Sequence, residues 1–205
     1  MVVRKRIAQA ILRLAGWRVV GAAPAEGIVV GAPHTSNWDF ALTLLVMWSG
    51  GVSPRVLIKQ ELFRGPAGWV LRRCGGIPID RRNPSGLVRE LAARANSGDP
   101  FPLIVAAEGT RKKVDYWKSG FYRIARSAHL PIAMGFIDGP TKTAGFGPTL
   151  RPTGDLAADM DVIRAFYADK RGVRPERRTE PRLRGEARPR STPADDAPAA
   201  DLDLP

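Results

Sequence analysis

The chain has 205 residues, room for one domain with a sizeable core and too short for two full ones. A single cysteine excludes an internal disulfide framework, and with only two histidines a cysteine- or histidine-rich metal centre is not expected. The formal net charge is +12, and from residue 173 onward seven arginines meet seven acidic residues, so the preceding body carries the whole excess. A body this basic favours a polyanionic partner: nucleic acid, an anionic membrane surface or a phosphate-bearing small molecule. No run reaches the ~18 apolar residues of a membrane-spanning helix. Arg4, Lys5 and Arg6 resemble the start of a secretory signal, but Gln9, Arg13 and Arg18 interrupt any apolar stretch after them, so a cytosolic protein is expected.

In chain order, residues 2–18 read as an amphipathic helix with Val3, Ile7, Ile11 and Leu14 on one stripe and basic residues beside it. Such a helix suits either an anionic lipid surface or packing on the body of its own domain. Residues 27–32 read as a buried strand and 40–49 as an apolar helix ended by Gly50-Gly51. A strand over 55–59, a helix opened by Gly65-Pro66 and a short strand over 77–79 follow. Asn83-Pro84 fits the start of a helix over 83–96. Residues 101–107 read as a buried strand, 120–128 as a helix, 132–137 as a strand, 142–150 as a hairpin or loop, and 155–170 as a last helix. Strands alternating with helices predict an α/β single domain with a mixed, largely parallel sheet flanked by helices. The expected organisation is a basic helix over 1–20, a domain over 21–172 and a disordered tail over 173–205, rich in Pro, Arg, Ala and acids and poor in large apolar residues.

Three clusters offer chemistry. His34 follows a strand and Asp39 stands five residues on, at the start of a helix. With His34 in the loop and Asp39 in the first turn, the carboxylate reaches back to the imidazole, fixes its tautomer and raises the basicity of the other ring nitrogen. Glu108-Gly109-Thr110-Arg111 ends a buried strand, where α/β sheets place ligand contacts, and Arg111 has the fork geometry to grip a phosphate. Arg81 and Arg82 follow another strand and offer further cations. No G-x-S-x-G elbow and no P-loop is present. His129 reads as a helix-end surface histidine and Cys74 as structural. The aromatic residues are scattered rather than interleaved with a basic stripe, so nucleic acid is not an expected partner.

Taken in order, the blocks His34-Thr-Ser36-Asn-Trp-Asp39, Gly76-Ile-Pro-Ile-Asp-Arg81, Glu108-Gly109-Thr110-Arg111 and Leu130-Pro131-Ile132 resemble the glycerolipid acyltransferase family, over about residues 25–140. Its members include the enzymes that convert lysophosphatidic acid to phosphatidic acid. The resemblance implies His34 as general base with Asp39 orienting it, and an acceptor site lined by Arg81, Glu108, Gly109, Thr110 and Arg111, with Ser36 supporting the loop or the donor. It implies acyl-CoA or acyl-carrier protein as donor and co-substrate, a lysophosphatidate-like lipid acceptor, no metal and no other cofactor. The enzyme would sit peripherally on the inner, cytoplasmic face of an anionic membrane. The backbone N–H groups at the start of the helix after His34 are the expected donors to the oxyanion. Two departures stand near the acceptor site. Ala106 and Ala107 replace the family's usual aromatic residue and proline, and Ala133-Met134-Gly135 replaces the run to a second proline. A non-glycerophosphate lipid or glycolipid acceptor therefore stays open, as does a non-catalytic basic module that binds anions.

Overall fold

The computed structural model describes residues 2–79 and 101–187. Residues 83–96, read as a helix, and Arg81 lie outside them. The elements are α1 (Val2–Leu14), β1 (Arg18–Val20), β2 (Gly27–Ala32), α2 (Trp38–Ser49), β3 (Arg55–Lys59), α3 (Gly65–Arg73) and β4 (Gly76–Ile79). Beyond the gap come β5 (Pro102–Ala106), α4 (Gly120–Ser127), β6 (Ile132–Asp138), β7 (Thr143–Leu150) and α5 (Leu156–Tyr167).

Among the described residues the strands form one sheet of seven, in the order β1-β7-β6-β2-β5-β3-β4. Neighbours run parallel except β6 and β7, which are antiparallel. This is the mixed, largely parallel α/β sheet expected. β2 is its centre, and five of its six residues are buried. A strand covered on both faces must be apolar at every position, which is how Gly-Ile-Val-Val-Gly-Ala reads. The chain leaves β2 toward β3 and β4, returns as β5 on one side of β2, then reappears as β6 on the other. The loops at the carboxyl ends of β2 and β5 therefore meet where an α/β sheet forms its ligand crevice.

The side-chain alternation of β2 feeds two cores. Ile28 and Val30 pack with Ile132 and Met134 of β6 against Phe121 of α4 and Met160, Ile163 and Tyr167 of α5. Val29, Ile104 and Ile137 pack on the opposite face with Leu44, Val46 and Met47 of α2 and Leu12 of α1. Tyr167 is wholly buried and shares its O–H between the carbonyls of Val30 at 2.8 Å and Gly135 at 2.9 Å, pinning α5 across β2 and β6.

Three local readings need correction. The first helix ends at Leu14 rather than residue 18, because Gly16 turns the chain at a φ of +74° and residues 18–20 leave as a strand beside β7. Residues 143–150 form a full strand, with the hairpin expected there closing onto β6. The segment from 173 to 187 is ordered: Leu183 inserts into the core, and Thr179 is buried. Its composition hid this, because one leucine and several backbone hydrogen bonds hold it rather than a periodic apolar face. The rest of the expected tail, 188–205, lies outside the described residues.

Candidate active site

β2 ends at Ala32, and residues 33–37 cross the top of the sheet before α2 begins. Asn37 stands at the N-cap of α2 without a capping side-chain bond. Asp39, in the first turn, binds the loop that precedes it: its Oδ2 accepts the N–H groups of Thr35 at 2.7 Å and Ser36 at 2.8 Å. The same Oδ2 lies 3.2 Å from His34 Nδ1. One carboxylate oxygen thus shapes the loop and faces the imidazole, as the five-residue spacing predicts. Nδ1–H turned to the carboxylate leaves Nε2 as the basic nitrogen. Ser36 Oγ accepts the Trp38 N–H at 3.2 Å, a bond that supports the loop.

The second loop follows β5. Glu108 is only 2% exposed, and its Oε1 accepts the backbone N–H of His34 at 2.9 Å. Burial is the main cause that pushes its carboxyl up to about 7, against the opposing pull of the His34 N–H and its own backbone N–H. Gly109 adopts a φ of +66°, with Lys118 Cγ only 3.3 Å from where a Cβ would stand. That turn brings Thr110 and Arg111 to the rim, where the Arg111 guanidinium donates to Asn37 Oδ1.

Between the two loops opens a cavity of about 450 Å³, within the range of roughly 300–1,000 Å³ usual for ligand sites. His34, Asn37, Asp39, Gly109, Thr110 and Arg111 line its polar mouth. Its body is apolar and runs between the sheet and α2, past Phe40, Val46, Leu62, Leu71, Ile137 and Phe146. The floor is low because Ala106, Gly31 and Gly135 stand in register on three adjacent strands, and all three line the space. Small side chains in a row leave room for a ligand chain.

His34, Asp39, Gly109, Thr110 and Arg111 therefore meet at one mouth, as expected. Glu108, expected to line the acceptor site, and Ser36, expected to support the loop or the donor, are buried behind it and do not line the cavity formed by the described residues. Of the expected oxyanion donors at the start of α2, the Trp38 N–H donates to Ser36 Oγ at 3.2 Å and the Asp39 N–H to the Ser36 carbonyl at 3.4 Å.

The Acyltransferase family profile matches residues 17–134. The chain belongs to the acyltransferase family. Over 124 residues it is 32% identical to the 1-acyl-sn-glycerol-3-phosphate acyltransferase of Streptococcus pneumoniae (strain ATCC BAA-255 / R6), a match covering 58% of this chain and 45% of that protein. The chain thus spans less than half the length of that relative. The crystal structure of the 1-acyl-sn-glycerophosphate (LPA) acyltransferase PlsC from Thermotoga maritima shares the fold, with a TM-score of 0.53 and 20% identity over 74% of this chain and 68% of that one. Sequence reading missed Asn37, though it stands inside the first block, and Thr35, whose buried hydroxyl accepts the Arg174 N–H at 3.0 Å. Backbone donors carry no side-chain signature, so nothing near Arg174 advertised that contact.

Proposed function

We propose that this chain transfers a fatty acyl group from a thioester donor, acyl-CoA or acyl-carrier protein, to the hydroxyl of a lysophosphatidate-like acceptor. The observation that carries the reading is the His34–Asp39 pair at the mouth of an apolar cavity, with Arg111 on the same rim. His34 Nε2 takes the acceptor hydroxyl proton as its oxygen attacks the thioester carbonyl, a contribution typically worth roughly 10²–10⁴-fold. The thiolate of the donor leaves as the tetrahedral intermediate collapses. Asp39 holds the ring and stabilises the imidazolium that forms. Arg111 faces the acceptor phosphate, and the apolar body of the cavity takes an acyl chain. The Streptococcus pneumoniae relative is a 1-acyl-sn-glycerol-3-phosphate acyltransferase, which supports this choice of acceptor. The same chemistry on a glycolipid or other non-glycerophosphate lipid is the second reading, favoured by Ala106, which widens the cavity floor where the family's usual residue is larger.

The exposed apolar stripe of α1 supports a peripheral seat on the inner, anionic face of a membrane. Val3 and Leu14 are 71% and 89% exposed, and Ile7 and Ile11 also face outward, while Ala8 and Leu12 are the residues buried against the body. No helix among the described residues is long and apolar enough to cross a bilayer.

Free-thiol release from palmitoyl-CoA tests the reading, with lysophosphatidate, glycerol 3-phosphate, lysophospholipids and glycolipids as acceptors. Turnover is expected with lysophosphatidate and a loss of at least about a hundredfold in His34→Ala. A variant with near wild-type kcat overturns the role of His34. Turnover on a glycolipid alone moves the acceptor to the second reading, and silence throughout with retained anion binding favours a non-catalytic module.

A further inference from the structure

After α5 the chain crosses the carboxyl ends of β6 and β2 instead of adding a strand. Asp138 Oδ1, at the end of β6, accepts the Arg171 N–H at 2.8 Å, and the Gly139 N–H donates to the Gly172 carbonyl at 3.0 Å. Gly172 lies flat on the catalytic loop at a φ of +77°, where a Cβ would stand 2.8 Å from Thr35 Oγ1 and 3.2 Å from Pro33 Cβ. The Arg174 N–H then donates to Thr35 Oγ1 at 3.0 Å, and Thr35 is fully buried. Further on, Thr179 Oγ1 accepts the Val114 N–H at 3.1 Å and the Arg182 carbonyl accepts the Trp117 N–H at 2.7 Å. One segment therefore ties both loops of the site, and the buried Leu183 anchors its far end. All of it lies beyond residue 134, where the family match stops.

We propose that residues 171–182 are a strap that sets the reacting geometry of the His34 loop, with Thr35 as the positioning residue through which it acts. The logic is mechanical. The Thr35 N–H holds Asp39 Oδ2, which in turn faces His34 Nδ1, so a shift of the Thr35 backbone moves the carboxylate and the imidazole relative to each other. The Thr35 side chain, held by Arg174 and close enough to Gly172 that a Cβ there would clash with it, is what fixes that backbone. The proposal rests on the reading of His34 as base. A displacement of the order of 1 Å at a catalytic group costs up to about a hundredfold.

The test uses the full chain with Thr35→Val, Thr35→Ser and Gly172→Ala, and two readouts. The first is kcat and KM for thiol release from palmitoyl-CoA with lysophosphatidate. The second is the imidazole ¹⁵N–¹H spectrum, which contains only His34 and the exposed His129 as internal reference. Thr35→Val keeps the shape and removes the acceptor. It is expected to lower kcat by about tenfold to a hundredfold with KM within about twofold, and to weaken the His34 Nδ1–H signal while His129 stays unchanged. Thr35→Ser restores the hydroxyl and is expected to recover most of both. An unchanged kcat, or a loss confined to KM, overturns the strap's role. Should wild-type protein release no thiol from any donor, the base reading fails and the spectrum alone decides. His34 resonances unmoved in Thr35→Val then overturn the strap's hold on the His34 ring, and shifted ones uphold that hold while its role in a reaction falls with the base reading. A Gly172→Ala protein that does not fold leaves the decision to the Thr35 pair.

Discussion

At Glu108 a carboxyl group has one oxygen on the His34 N–H and the other, Oε2, buried without a partner among the described residues. Burial disfavours its charged form, and its pKa of about 7 stands above the ordinary 4.5. Between those values the folded state holds more protons than the unfolded one. Stability therefore falls as pH rises from about 4.5 through about 7 and is level above that. Glu108→Gln keeps an oxygen for the His34 N–H and removes the titration. Urea unfolding across this range is expected to show wild type losing stability relative to the variant as pH rises. A constant difference between the two proteins contradicts this account. Glu108 was legible as part of a motif, but its place behind His34, off the lining of the cavity formed by the described residues, was not. Motif spacing says which residues meet; burial says which way each one faces.

At the scale of elements, the central strands and α2 were legible because a strand covered on both faces and a helix bounded by glycines leave strong local patterns. β1 and β7 were harder. Three exposed residues over 18–20 carry no alternation, and Gly145, Gly147 and Pro148 disguise an eight-residue strand. The cavity was illegible for a related reason: it arises from small residues that fall in register on β5, β2 and β6, far apart in sequence. That register makes Gly31 a place to shorten the cavity. A Cβ there would meet Ile104 Cγ2 at 3.8 Å and Val105 O at 4.0 Å, ordinary contacts that the fold tolerates. Further carbons of a Val side chain enter the cavity, where the proposed acyl chain would lie. Displacing two methylenes costs about 1.6 kcal/mol, roughly tenfold in affinity. In Gly31→Val, kcat/KM for palmitoyl-CoA relative to decanoyl-CoA is expected to fall by about that factor. A uniform change across chain lengths means the acyl group lies elsewhere.

For the whole molecule, the question is how a basic body with an exposed apolar helix would meet the proposed lipid substrate. Sequence reading left two uses for the stripe of α1, and the fold separates them. Ala8 and Leu12 pack inward, the Arg4 guanidinium stacks over Trp48 at 5.1 Å, and Gln9 donates to the Ser49 carbonyl at 3.1 Å, so α1 is fixed on α2 by its other side. The stripe of Val3, Ile7, Ile11 and Leu14 is left facing outward. Trp38, at the start of α2, and Leu62, which lines the cavity, are also exposed. A surface with apolar groups beside cations on a body of net charge +12 is suited to anionic lipid, where burial and Coulomb attraction add. Fully burying one isoleucine is worth about 1.5–3 kcal/mol. Ile7 and Ile11 are 54% and 44% exposed, so only about half of that value remains for each, and the double variant Ile7→Ser, Ile11→Ser is expected to bind phosphatidylglycerol vesicles at least about tenfold more weakly. Its kcat on a soluble short-chain donor and acceptor is expected to match wild type, because neither residue lines the cavity. Wild-type binding should also weaken with added salt, since the Debye length shrinks to about 3 Å at 1 M. Equal vesicle binding by the variant assigns the membrane contact to another face, and loss of both binding and soluble activity assigns the stripe to the fold.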